Sequence, residues 1–227
     1  MNIDWSPLWI SLKTSVLATT ITFILGIYVG YLMYNYKGKL KGIIDGVLTL
    51  PLILPPTVLG FFLLIILGKN GFIGEILIKL DKNIIFTWSA TVVSAVVVSF
   101  PIMYRACRSA FEQIDNNLIY AGKTLGLNKL EIFKKICFPL ALPGIIGGTV
   151  LAFARAMGEF GATLMLAGNI PGKTQTMPIA IFFAVESGQM DIAILWVISM
   201  IFVSIIMILL LNYISEYQQV ITGKRRK

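Results

Sequence analysis

Arg155 and Glu159 stand four residues apart in an apolar stretch, the one oppositely charged pair inside any long hydrophobic run of the chain. On a continuous helix that spacing sets two side chains next to each other. A charge surrounded by hydrocarbon is costly, so the pair must face a helix-bundle interior or a water-filled path. A guanidinium in such a path can hold an anion, and a neighbouring carboxylate lowers the net charge so that a dianion is not held too tightly to leave. A salt bridge that locks one helix against its neighbours accounts for the same spacing, and both readings stand. Leu151, Arg155, Glu159 and Thr163 are expected on one face.

The rest of the chemistry-bearing inventory is sparse. Histidine is absent, which removes the usual zinc ligand, triad base and neutral-pH proton carrier. Cys107 and Cys137 lie in unrelated contexts with no Cys-x-x-Cys, and read as small packing residues. No catalytic or metal-ligating set emerges, and no Gly-x-x-x-x-Gly-Lys-Ser/Thr phosphate loop is present.

The elements that must position the pair follow from composition. The 227 residues are 57% hydrophobic and 13% charged, against about 45–50% and about 25% in soluble domains, so a membrane is the natural solvent. A bilayer core needs about 20 apolar helical residues. Five segments meet this, over about 8–34, 47–67, 84–104, 142–166 and 192–213, in one all-α domain covering 1–227. Ile179–Val185 is too short to cross and reads as part of an ordered loop or a re-entrant turn. The start, Met1-Asn-Ile-Asp-Trp-Ser-Pro, lacks the basic region of a signal peptide.

Net charge is +8, and its placement speaks for topology rather than for nucleic acid. Lys37, Lys39 and Lys41, the run from Arg105 to Lys135, and Lys224, Arg225, Arg226 and Lys227 fall on one side, which the positive-inside rule makes cytoplasmic. The N-terminus is then outside and the C-terminus inside, and both cysteines lie near the reducing side, which disfavours a disulfide.

The connection over about 105–140 does not read as a tether. Ile114, Leu118, Ala121 and Leu125 share a helical face, Gly126 interrupts, and Leu127, Leu130, Phe133 and Cys137 form a second stripe that Pro139 is expected to end. Such an amphipathic element fits a groove on a cytoplasmic partner, or the lipid headgroups with Lys134 and Lys135 at phosphates.

Tyr120-Ala-Gly-Lys-Thr-Leu-Gly126, nine residues, then Ile136-Cys-Phe-Pro139 resembles the signature loop of ABC-importer permeases, with Ala121, Gly126, Ile136 and Pro139 matching and Tyr120, Gly122 and Phe138 departing. The resemblance implies a coupling helix over about 122–135 that sits in a groove of an ATPase subunit, with Ala121, Gly122, Leu125, Gly126, Leu127, Leu130, Phe133, Ile136 and Pro139 carrying the coupling.

The fourth span has small residues at four-residue spacing, Gly144, Gly148, Ala152 and Ala156 on one ridge, and Ala154, Gly158 and Ala162 on another. Such ridges let helices approach closely in lipid and also suit a path lining. After it, Ala167-Gly-Asn-Ile-Pro-Gly-Lys-Thr-Gln-Thr-Met-Pro178 is a turn-rich external loop in which Asn169, Pro171, Gly172, Thr174, Gln175 and Thr176 could offer N–H and hydroxyl donors. In the second span Pro51, Pro55 and Pro56 free backbone carbonyls for a pore or a neighbouring helix, and Pro55, Pro56 and Thr57 join Arg155, Glu159 and Thr163 as candidate path or gate residues.

The string from Ala152 to Thr163, the external loop, and Leu50-Pro-Leu-Ile-Leu-Pro-Pro56-Thr-Val-Leu-Gly-Phe together resemble molybdate-type permeases over about residues 8–215; sulfate-type relatives share the Arg-Ala, Gly-Glu and Ala-Gly-Asn pieces. The resemblance implies a MetI-like fold, a homodimer of permease chains, two cytoplasmic ATPase subunits that bind ATP and magnesium, and an external oxyanion-binding protein. Molybdate is the expected cargo, with tungstate and sulfate or thiosulfate as alternatives. This chain would carry no cofactor of its own. A channel or carrier that works without ATP remains the reading from a different class.

Overall fold

The computed structural model describes residues 4–221, all helix and connection with no strand among them. The expected Lys224–Lys227 cluster and the first three residues of the N-terminus lie outside that range.

The bundle is organised around α1 (Ser6–Asn35) and α5 (Trp88–Glu112), which pack along their lengths, with α8 (Phe138–Met157) against both. The contact face of α1 is made of small and hydroxylated residues: Ser11, Thr14, Ser15, Ala18, Thr22, Gly26 and Gly30 are all buried. At Gly26 an added Cβ would stand 2.6 Å from Met103 Cγ. Small residues are what allow backbones to approach closely where lipid removes the hydrophobic drive between helices. The hydroxyls also bond across, with Thr14 Oγ1 and Thr91 Oγ1 2.9 Å apart and Trp88 Nε1 donating to Thr14 Oγ1 at 3.0 Å.

The expected second span is not one helix. α2 (Lys41–Ile53) and α3 (Pro56–Leu67) meet at Leu54–Pro55 with a bend of 113°. A residue before proline is pushed out of the α region. Here Leu54 (ψ 141°) precedes Pro55, and Pro55 (ψ 138°) precedes Pro56, so two consecutive residues are extended. Pro56 then starts α3, where a missing N–H costs nothing.

The fourth expected span is broken too. α8 stops at Met157, and a short α9 (Gly161–Ala167) resumes after Gly158–Phe160. Its N-terminal side runs earlier than expected. A single turn, α7 (Lys129–Ile132), continues through a wide π-helical turn, Phe133–Cys137, into α8, so Pro139 lies in the first turn of a helix and ends nothing. Phe138 N donates five residues back, to Phe133 O. Widening of this kind absorbs the ring and the missing donor that would otherwise break the ladder.

The remaining helices frame these. α4 (Phe72–Lys79) follows α3; α6 (Asn116–Thr124) follows α5, which starts at Trp88 rather than at 84 and runs on to Glu112; α10 (Met177–Glu186) is the short apolar stretch; and α11 (Met190–Ile221) is the last element of the described residues. Among the described residues four helical stretches are long and apolar enough to cross a membrane, and they number five if the bent α2–α3 pair is counted as one broken span.

Candidate functional site

The connection expected to couple is built by turn chemistry. Asp115 Oδ1 accepts from Asn117 N at 2.9 Å and starts α6. α6 ends when Leu127 N donates to Gly122 O and Gly126 N to Lys123 O, both at 3.0 Å, with Gly126 at φ 79°. That doubly bonded stop needs a left-handed residue, which glycine adopts without strain. Asn128 and Glu131 then cap each other reciprocally, Glu131 N to Asn128 Oδ1 and Asn128 N to Glu131 Oε2 at 2.9 Å each, and start α7.

The resulting helix–turn–helix has two sides. Gly122 is buried, and a Cβ there would meet Ile136 Cδ1 at 2.7 Å. Ile132 and Cys137 are buried with it, and Phe133 meets Tyr31 edge-to-face with ring centroids 4.6 Å apart. Ala121, Leu125, Gly126, Leu130 and Pro139 face outward, with Leu125 80% and Leu130 60% exposed. The two apolar stripes read from periodicity are therefore each divided: Ile114 and Cys137 point inward, Leu118, Leu125 and Leu130 outward. The outward leucines sit at and beside the turn, where a partner can reach them.

The breaks of the two bent spans meet. At Gly161 an added Cβ would stand 3.1 Å from Pro56 Cβ and 3.2 Å from Thr57 N, and at Gly60 it would stand 2.8 Å from Ala162 Cα. Glu159 lies in the break rather than on a continued helical face, so Leu151, Arg155, Glu159 and Thr163 do not share one. Leu151 is 60% exposed and Thr163 buried. The Arg155–Glu159 pair nevertheless forms. Glu159 is 2% exposed; its Oε1 accepts from Ala162 N at 2.7 Å, and its Oε2 faces Arg155 Nη1 at 2.8 Å, an ion-pair contact without hydrogen-bond alignment. The carboxylate thus closes the start of α9 and neutralises a partly exposed guanidinium. Pro55 and Thr57 are exposed beside the break.

The external loop is bonded to itself more than it is open. Thr174 Oγ1 accepts from Ile170 N at 3.1 Å and donates to Gly168 O at 3.2 Å, and Gln175 Nε2 donates to Asn169 Oδ1 at 2.9 Å. Thr174 and Thr176 are buried; the Thr174 hydroxyl is used within the loop and the Thr176 hydroxyl has no partner among the described residues, while Pro171, Gly172 and Lys173 form the exposed tip.

One cluster was not assembled from sequence. Asp45 Oδ1 accepts from Tyr104 Oη at 2.7 Å and pairs with Arg108 Nη1, while Arg108 Nε donates to Glu112 Oε1 at 2.8 Å and Lys41 Nζ lies 3.9 Å from the same oxygen. The i, i+4 spacing of Arg108 and Glu112 was readable, but the partner 63 positions away in α2 was not.

Residues 22–227 match the family described as binding-protein-dependent transport system inner membrane component. The chain belongs to this family. It is 43% identical over 225 residues to the molybdenum transport system permease protein ModB of Escherichia coli (strain K12), covering 98% of this chain and 96% of that one. The ModB of Haemophilus influenzae is 38% identical over 216 residues, covering 94% of each. The fold is similar to a chain of the inward-facing MetNI methionine ABC transporter, at a TM-score of 0.73 and 16% identity, over 93% of this chain and 94% of that one. A multi-pass, MetI-like inner-membrane permease is thus the frame in which both bends and the capped loop operate.

Proposed function

We propose that this chain is the permease subunit of an ATP-driven importer of molybdate, working as a homodimer with two cytoplasmic ATPase subunits and an external oxyanion-binding protein. The observation that carries the cargo is the match to relatives named for molybdenum transport over nearly the whole chain. The N-terminus lies outside and the C-terminus in the cytoplasm. ATP and magnesium belong to the ATPase chains.

The geometry supports a division of labour. Leu125 and Leu130 offer exposed apolar area at a rigid, doubly capped turn, and a groove on the ATPase that buries them gains roughly 25 cal/mol per Å². Displacement of that turn is passed inward through Phe133 to Tyr31 and Phe111, and along the helix that runs from Lys129 to Met157. This helix ends at Met157, just past Arg155, and Glu159 follows in the break beside Pro56 and Thr57. ATP-driven closure of the ATPase pair turns the path outward, and hydrolysis resets it. Arg155 meets the dianion, and Glu159 keeps the encounter weak enough for release. The test is ATP hydrolysis by the reconstituted transporter with its binding protein loaded with molybdate, tungstate or sulfate. Stimulation by molybdate is the expected result; stimulation by sulfate alone would overturn the cargo.

A further inference from the structure

α2 is an outlying arm. None of its residues is buried, it packs chiefly against α5, and Ile43, Val47 and Ile53 are each about two-thirds exposed or more. Its far end is the extended Leu54–Pro55 link, a joint with no helical hydrogen bond from either proline nitrogen. What fixes its near end is polar: Asp45 on Tyr104 and Arg108, with Lys41 toward Glu112. Tyr104 is fully buried, so its hydroxyl has Asp45 as the partner that satisfies it. The ions are partly exposed, with side-chain exposures of 22% for Arg108 and 35% for Asp45. Pairs of that kind stabilise little, which suits a contact that is made and broken more than one that cements a fold.

We infer that Asp45 is a positioning residue for transport: with Tyr104 and Arg108 it latches α2 to α5, and release of the latch lets α2 swing about Pro55 when the path changes the side to which it opens. α5 also leads directly into the connection at Gln113, and α2 leads into the break at Pro55–Pro56, so the latch bridges the element that enters that connection and the element that enters the break. The inference rests on the permease reading for its transport readout, while its distance readout is independent of cargo.

The test uses the full chain, reconstituted with its ATPase, carrying spin labels at Val47→Cys and Gln113→Cys; Cys107 and Cys137 are buried and leave labelling selective. Asp45→Asn and, separately, Tyr104→Phe are expected to broaden the label separation in the nucleotide-free state. Uptake is expected to fall about fivefold, within the range that coupling residues command. The conservative Asp45→Glu, which keeps a carboxylate for Tyr104 Oη and Arg108, is expected to hold both readouts closer to those of the unsubstituted chain than Asp45→Asn does. An unchanged separation in Asp45→Asn and Tyr104→Phe overturns the proposal even if uptake falls. Equal changes in Asp45→Glu and Asp45→Asn overturn it as well. A wrong cargo would instead silence uptake in the unsubstituted chain and leave the distances informative.

Discussion

At Glu159 a carboxylate that is 2% exposed meets a backbone N–H and a guanidinium, and the two contacts do different work. The bond to Ala162 N starts α9; the ion pair sets the charge that Arg155 presents. Arg155→Ala removes only the second and strands a buried charge, which costs about 2 kcal/mol. The double variant Arg155→Ala/Glu159→Gln keeps the acceptor for Ala162 N and removes the stranded charge. Thermal unfolding in detergent is therefore expected to show the double variant more stable than Arg155→Ala alone; the reverse order would mean that the pair is not an interacting unit. Glu159→Gln by itself leaves Arg155 uncompensated, so the expected effect on transport is tighter anion retention and slower turnover, read as a lower maximal uptake rate with a lower half-saturating concentration.

At the scale of elements, the turn between α6 and α7 and the bend between α2 and α3 are the parts whose backbone is dictated by particular residues. Gly126 at φ 79° cannot become valine without about 1–2 kcal/mol of left-handed strain. Gly126→Val is expected to lower the unfolding temperature slightly and to lower binding-protein-stimulated ATP hydrolysis far more. Equal losses in both would make the turn a stabiliser rather than a coupler. Pro55→Ala restores an N–H and relaxes the restraint on Leu54, so uptake is expected to fall while the folded fraction does not, measured side by side by transport and by size-exclusion chromatography.

The same elements show what could be read in advance. Hydropathy placed an apolar window on each of the long helices, because desolvation depends on composition over about 20 residues. It could not see the 113° bend or the stop at Met157, since a helix that breaks inside an apolar window keeps the window's average. Pro51, Pro55 and Pro56 announced freed carbonyls but not an angle, and the spacing of Arg155 and Glu159 gave the right partners on a wrong assumption of unbroken helix. Pro139 misled, because the π-helical turn before it absorbs the ring. Asp45 and Arg108 belong to different helices, and no local pattern pairs residues that distant.

For the whole molecule, the capped turn, the helix from Lys129 to Met157 and the paired breaks at Pro56 and Gly161 form one continuous route from an exposed apolar knuckle to a charged pair in the bundle. That route has a purpose only if work done at the knuckle changes the path, and transport must then stop when the motor is absent. The measurement that tests this most directly is molybdate accumulation in proteoliposomes holding the permease, with and without its ATPase subunits, with the binding protein and ATP on their respective sides. The account predicts accumulation against a gradient only when ATPase and ATP are both present, and its loss in Gly126→Val. Equilibration of molybdate by the permease alone, indifferent to ATP and to Gly126→Val, would contradict it.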